Sequence, residues 1–457
     1  MIETGKTVHG IKGPTPLLEL EDFDFVRGTV PDYLHSVCHG GIRFFLHLWT
    51  DKTNHKEPWY LNNSKRSILN ARLGQMKPPY DVTRTCRPLN EINLWKASEF
   101  RSFALYYYPA LEDLLPAVYY KHFQKFIYSF QVLLQEKVPL GTVKDCQILI
   151  DDFLREALVL YGLQHMRFNL HLFKHLVQSC IDWGCLWASS TFIPEWFNGI
   201  LIATANGTQE LASQMAHSHL IRNVIRKQTI DLIQNHVLPK PVCSLLKEFL
   251  QIPDWIDGTL RSETLNSTLT ECGLRLLGQP QREQMGLSFK ISLLNLFSSS
   301  NDAVLQHIIP DGNDLDAANN FKRLQLQNKV IFTTVHYTRS PKRNNYCALM
   351  DDGEFLIIEK IIHFPNIPSR CNVFVIGRLL GVISKTKLCP GAIGDLSFDN
   401  LPGQTTELKG VDEGLTAYCA SSIYKKCVFF FKPICLSTFY HDDCYIATAV
   451  PNSVETD

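Results

Sequence analysis

An excess of either charge is missing from this chain. Lysine plus arginine number 45 and aspartate plus glutamate also 45, so no overall field draws the protein onto a polyanion and any contact with nucleic acid must be made by local patches. Cysteine pairs at C-x-x-C spacing are missing too. The 14 cysteines are dispersed, which argues against zinc ribbons and redox motifs and reads as reduced thiols of an intracellular protein. No stretch reaches the ~18 uninterrupted apolar residues of a membrane span, and Met1-Ile2-Glu3-Thr4-Gly5-Lys6 has no apolar leader region. A soluble intracellular protein without membrane contact is expected, in which the sequons at Asn62, Asn206 and Asn266 are chance. Internal repeats and low-complexity tracts are absent as well. What is present is 45% hydrophobic and 20% charged residues, the composition of a folding chain. At about 100 to 200 residues per domain, 457 residues suffice for two or three domains.

Periodicity divides the chain. Glycines and prolines punctuate the first residues, and Phe23-Asp24-Phe25-Val26 alternates as a short strand would. Behind Pro31, an apolar and aromatic segment from Asp32 to Trp49 reads as a helix, with Gly40 and Gly41 tolerated for close packing. Helical spacing continues at 95–108, 119–136, 142–162, 168–181 and 209–236. In 142–162 a Thr142/Asp145 capping box and a closing Gly162 are expected. Residues 238–325 are polar and broken by prolines, and read as a linker with short helices. After it the period changes to 2, predicting strands at 330–337, 346–350, 354–364, 373–382, 427–439 and 444–450, with a hairpin turn at Asp351-Asp352-Gly353.

Two segments could carry chemistry. In Gly28-Thr29-Val30-Pro31-Asp32-Tyr33-Leu34-His35, a strand end would deliver Asp32, with His35 one turn along the following helix. Such a carboxylate is placed to bind a divalent cation, and equally to cap the helix. In Trp187 to Gly199, Glu195 opens a helix behind Pro194, as a metal ligand or as plain compensation of the helix dipole.

These segments belong to a series. Gly10 to Leu18, Phe23-Asp24, Pro31 to His35, Pro58-Trp59-Tyr60, Trp95 to Arg101, Met166 to His171 and Glu195 to Gly199, in that order, resemble the transposases of the EnSpm/CACTA class found in animal genomes. The resemblance spans roughly residues 10–210. It implies an α+β protein: part of an RNase H-like core at 1–50, an all-α insertion at 51–182, the end of the core at 183–237, and the linker. A small antiparallel β domain would follow at 326–457. It also implies an Asp, Asp, Glu triad holding two Mg²⁺ ions for DNA hydrolysis and strand transfer at transposon ends, a nuclear location, and possible homo-oligomers.

Carried over residue by residue, Asp32 corresponds to the second carboxylate, Glu195 to the last, and His35 to the histidine beside them. The family's first carboxylate lies on a strand upstream of the Gly10 block, so this chain is expected to bind Mg²⁺ weakly and to be inactive alone. The alternative is a non-catalytic, domesticated module binding DNA or protein. Local basic patches that could meet DNA are Arg222, Arg226 and Lys227 on one helix, and Arg339, Lys342 and Arg343 in a hairpin loop. His171 and His175 share a helix face without an evident third ligand, whereas His35 and His39 have the same spacing with Asp32 one turn before, a pattern that a hydrolytic zinc site would use and that core or surface histidines share. Cys419, Cys427, Cys435 and Cys444 read as small packing residues.

Overall fold

The computed structural model describes residues 15–24, 27–250 and 267–449. Excepted are 303–304, 306–314, 316–317, 338–342, 368–371, 386–405 and 432–443, and the single positions 83, 206, 271, 283, 301 and 329. The molecule is mixed α and β, with helices first and antiparallel sheets second.

Among the described residues, no strand precedes Ser267. The strand expected at 23–26 is not formed at Phe23 and Asp24, which follow a turn, while Phe25 and Val26 lie outside the described residues. Pro16–Glu19 is a single 3₁₀ turn. Asp32 therefore stands ahead of a helix without a strand behind it. That helix is π-helical over Leu34–Ile42 and continues as α1, Arg43–Thr50. Its tight packing explains the two glycines. A Cβ on Gly41 would sit 2.1 Å from the Phe173 ring, and one on Gly40 2.7 Å from Asn169. Phe173 and Asn169 belong to α6, Phe168–Trp183. Gly41→Ala is expected to cost about 1–3 kcal/mol by overpacking, read as a lower urea midpoint. An unchanged midpoint would show that the two helices do not meet this closely.

α2 (Asn63–Gln75), α3 (Ala97–Ser102), α4 (Ala117–Leu133) and α5 (Leu140–Tyr161) complete the helical half around one aromatic core. α5 turns Val143, Cys146, Ile150, Phe153, Ala157 and Tyr161 inward at helical spacing. It begins two residues earlier than expected, directly behind Pro139, so Thr142 and Asp145 lie inside the helix and form no capping box. Gly162, at φ +84°, ends it. Phe126 stacks on Phe173 at 4.1 Å, and Trp49 meets Phe123 edge-on at 5.0 Å. His122 is buried against Phe153; burial pushes it down to about 4, so it is neutral in the core. This core runs from Tyr33 to Leu186 without a break near residue 50, which joins the first expected segment to the helical insertion.

α7 (Phe192–Ala203), α8 (Leu211–Gln234) and α9 (Lys240–Leu250) follow. The apolar side of α8 is not covered: Leu220, Ile221, Val224 and Ile225 are exposed.

The segment expected to be a linker is instead structured. It supplies β1 (Ser267–Leu269), β2 (Arg275–Leu277), α10 (Leu287–Ser299), β3 (Asn319–Phe321) and β4 (Arg323–Gln325). With β5 (Ile331–Thr333) they make a four-stranded antiparallel sheet ordered β1-β2-β4-β5, while β3 joins the second sheet. That sheet uses β6 (Cys347–Met350), β7 (Phe355–His363), β8 (Val373–Lys385), β9 (Thr406–Cys419), β10 (Ile423–Phe431) and β11 (Cys444–Ala449). Its order is β3-β7-β6-β10-β11-β9-β8, and β7 also pairs with β8, so the sheet curls and closes on itself, which leaves few free edges. Gly353, at φ +90°, turns the β6–β7 hairpin. Phe297 of α10 packs on Phe374 of β8. Cys347 and Cys427 are buried free thiols, as a packing role requires, whereas Cys419 is disulfide-bonded, against the expectation of reduced thiols throughout. Cys435 lies outside the described residues.

The two halves are joined by a polar seam. Lys426 meets Asp81 at 2.6 Å, the Tyr80 amide donates to Asn345 at 3.0 Å, and the Arg343 guanidinium donates to the Val82 carbonyl at 2.6 Å and that of Pro79 at 3.2 Å. No helix among the described residues is long and apolar enough to cross a membrane.

Candidate functional site

Asp32, His35 and Glu195 come together. The start of the π-helical stretch places His35 one turn after Asp32, whose carboxylate accepts the His35 backbone amide at 3.1 Å, as a helix cap does. The same carboxylate meets His35 Nδ1 at 2.7 Å, and His35 Nε2 meets Glu195 Oε1 at 3.0 Å. Glu195 arrives on the first turn of α7. The residue at that helix's N-cap position, Thr191, does not cap its own helix. Its hydroxyl donates to Asp32 Oδ2 at 2.6 Å and its amide to Asp32 Oδ1 at 3.0 Å. Of the two readings of Asp32 made from sequence, the helix cap is formed, and the same carboxylate ties a second helix, distant in sequence, to the first.

Burial alone would raise the Asp32 carboxyl. The Thr191 hydroxyl and amide and the two His35 donors outweigh it and hold the carboxyl below its usual range. His35 stands between two carboxylates, and only the imidazolium can donate to both. Glu195 and His35 are open to solvent on one side, with side chains 49% and 61% exposed, so the cluster lies at the surface of a half-open site.

Residues from four of the blocks that carry the resemblance meet around this cluster, while residues 10–14 of the Gly10 block lie outside the described residues. Tyr33 packs its ring on Phe192 at 5.6 Å, Arg101 lies over the same Phe192 ring at 4.8 Å and donates to the Tyr33 hydroxyl at 3.4 Å. Phe100 faces the His39 ring edge-on at 5.8 Å, and Asn169 fills the notch at Gly40. Trp59 packs on Tyr161 and His165 behind them.

The arrangement is a poor Mg²⁺ site as it stands. Asp32 accepts four hydrogen bonds from Thr191 and His35, so an ion would have to displace them, and His35 holds Glu195 through Oε1. Among the described residues, no group of three His, Cys, Asp or Glu side chains is arranged to hold a metal ion. Mg²⁺ needs near-octahedral oxygen geometry, which these residues do not present. His171 and His175 face each other at 3.2 Å through Nε2, a two-ligand pair.

The other sequence-chosen residues lie elsewhere. Arg222, Arg226 and Lys227 are on α8, with Arg226 Nε buried and unpartnered. Arg343 is engaged in the seam between the halves and also lies over Tyr80. Arg339 and Lys342 lie outside the described residues. Sequence reading missed Thr191: an isolated threonine before an apolar helix carries no signal of a bond to an aspartate 159 residues away. Arg167 stood within the Met166 to His171 block, but only the fold brings it into the wall of one cavity with Arg43. Comparison with protein-family models, curated proteins and solved structures gives no match.

Proposed function

We propose that this chain is an EnSpm/CACTA-type, transposase-derived protein that binds DNA and, by itself, does not cut it. In this reading Asp32 and Glu195 are two carboxylates of the ancestral Mg²⁺-dependent phosphodiester centre within an RNase H-like core, and His35 is a positioning residue between them. One observation supports it above all others. Two blocks chosen from sequence for their resemblance, with carboxylates 163 residues apart, meet in a single Asp32–His35–Glu195 cluster.

In this reading the chain's own residues keep the centre from cutting. Thr191 and His35 take up the acceptor positions of Asp32 that a metal would need, so the cluster is latched by hydrogen bonds. No step of DNA cleavage is assigned to this arrangement. The domesticated, non-catalytic reading is supported by the same latch.

The binding half is tested with duplex DNA. The purified chain is expected to retard a duplex at low salt and to release it steeply as salt rises, because phosphate contacts release counterions. Asp32→Ala is expected to bind at least as well, since its loss removes a charge that repels DNA. Absence of any duplex retention at low salt would remove the DNA-binding reading.

A further inference from the structure

A cavity of about 550 Å³ opens along the π-helical stretch and α1, its lining beginning at His39, one turn after His35. Arg43 and Arg167 are its two fixed cations, and His39, His47 and His165 stand among them. Neither guanidinium is paired with a carboxylate among the described residues. Arg43 Nε reaches His47 Nε2 at 3.4 Å, and Arg167 lies over the Phe44 ring at 5.1 Å. The one acidic group in the wall, Asp51, is engaged by the Thr53 amide at 2.9 Å, where it caps a 3₁₀ turn.

The histidines do not share the charge. Burial, helped by Arg43 for His39 and His47 and by Arg167 for His165, holds all three below their ordinary value, so at neutral pH the arginines alone make the cavity positive. His39 Nδ1 is buried with no hydrogen-bond partner, a group that a bound ligand would satisfy. Two guanidiniums without a carboxylate partner in the wall of one concave polar site are the recognition chemistry of a phosphate, which a guanidinium can grip bidentately. The volume is that of a small-ligand pocket, larger than one phosphate ion requires. His39, in the cavity wall, stands one turn after His35 on the same π-helical stretch. The cavity and the Asp32–His35–Glu195 cluster are therefore neighbours along this stretch.

We propose that the cavity is a nucleotide-phosphate subsite that seats a single-stranded DNA segment next to the cluster, with Arg43 and Arg167 as its charged ligands. The inference rests on the DNA-binding reading above and adds the place and form of the contact.

The test is fluorescence anisotropy with a short labelled oligothymidylate, on the wild-type chain and on Arg43→Gln, Arg167→Gln and the double variant. Each single variant is expected to bind about tenfold more weakly. The double variant should also lower the slope of log affinity against log salt by about 0.7 to 1.4, for one or two phosphates released. Lysine at either position should restore part of the affinity and the salt slope, because it keeps the charge and loses the bidentate grip.

Unaltered thermal melting would show that the variants fold, and should Arg167→Gln fail to fold, Arg43→Gln and the two lysine variants carry the test. Thymidine monophosphate should displace the oligonucleotide at lower concentration than inorganic phosphate; equal displacement would reduce the cavity to a free-phosphate site and overturn the proposal. So would a folded double variant with wild-type affinity and slope. Wild-type binding to oligothymidylate without any binding to duplex would overturn the duplex reading and leave this subsite standing. Duplex binding unaffected by either arginine, with no oligonucleotide binding, would do the reverse.

Discussion

Asp32→Ala is expected to cost about 3 kcal/mol and to free the start of α7, because hydrogen bonds to a charged group contribute about 1.5–3 kcal/mol each and four converge on this half-buried carboxylate. The Thr191 amide, bonded to Asp32 Oδ1 at 3.0 Å, should exchange with solvent at a much higher rate in the variant, while amides in α4 and α5 keep their protection relative to global unfolding. The effect has a sign in pH. The Asp32 carboxyl in the folded chain lies below its ordinary value of 3.8: burial works against this, and the Thr191 and His35 donors prevail. The unfolded chain therefore takes up the proton first as pH falls, so the stabilisation is complete above the ordinary carboxylate range and is lost as pH drops through the lowered folded value. The gap between wild type and Asp32→Ala should close in acid. A gap that stays constant from neutral pH to below that range would mean that the carboxylate's charge does not hold α7.

The larger loss is expected at the seam. Lys426 is almost wholly buried, with its side chain 3% exposed, and its ammonium meets Asp81 at 2.6 Å, Asn345 Oδ1 at 3.4 Å and the Phe332 ring at 5.2 Å. Removing one partner of such a pair leaves an uncompensated buried charge and costs about 3–5 kcal/mol. Asp81→Ala should therefore lower stability by that much, and adding Lys426→Met should recover most of it. Burial pushes the Lys426 ammonium down and Asp81 holds it up, so without Asp81 it falls further. The folded variant then binds fewer protons than the unfolded chain, and its stability rises with pH. Denaturant midpoints at neutral and alkaline pH read this directly. A loss under about 1 kcal/mol, the range of an exposed pair, would show that the seam is open to water.

Much of the helical half is legible from sequence because its helices bury one face in a single core, and burial imposes the 3.6-residue period. Gly40 and Gly41 announced a close contact and the structure supplies its partners, Asn169 and Phe173. The stretch at 238–325 misled for the opposite reason. β1, β2 and β4 are three residues each, too short for alternation to register, and their proline-rich surroundings read as linker. β9 escaped because Thr406–Cys419 mixes glycines and charges with apolar residues; pairing with β8 and β11 forms it, not local preference. α8 shows the limit of periodicity: Leu220, Ile221, Val224 and Ile225 are spaced for burial, yet in this chain they face solvent. At the site, Asp32, His35 and Glu195 could be named because each stands in a recognisable block. Thr191, Arg43 and Arg167 act through contacts that only the fold creates.

The most direct test of the central claim is a nicking assay on supercoiled plasmid with Mg²⁺, comparing the wild-type chain with Asp32→Ala. With Asp32 latched by Thr191 and His35, both proteins should bind the plasmid and leave it supercoiled. Mg²⁺-dependent nicking by the wild type that disappears in Asp32→Ala would contradict the account and show that the cluster is a working cleavage centre.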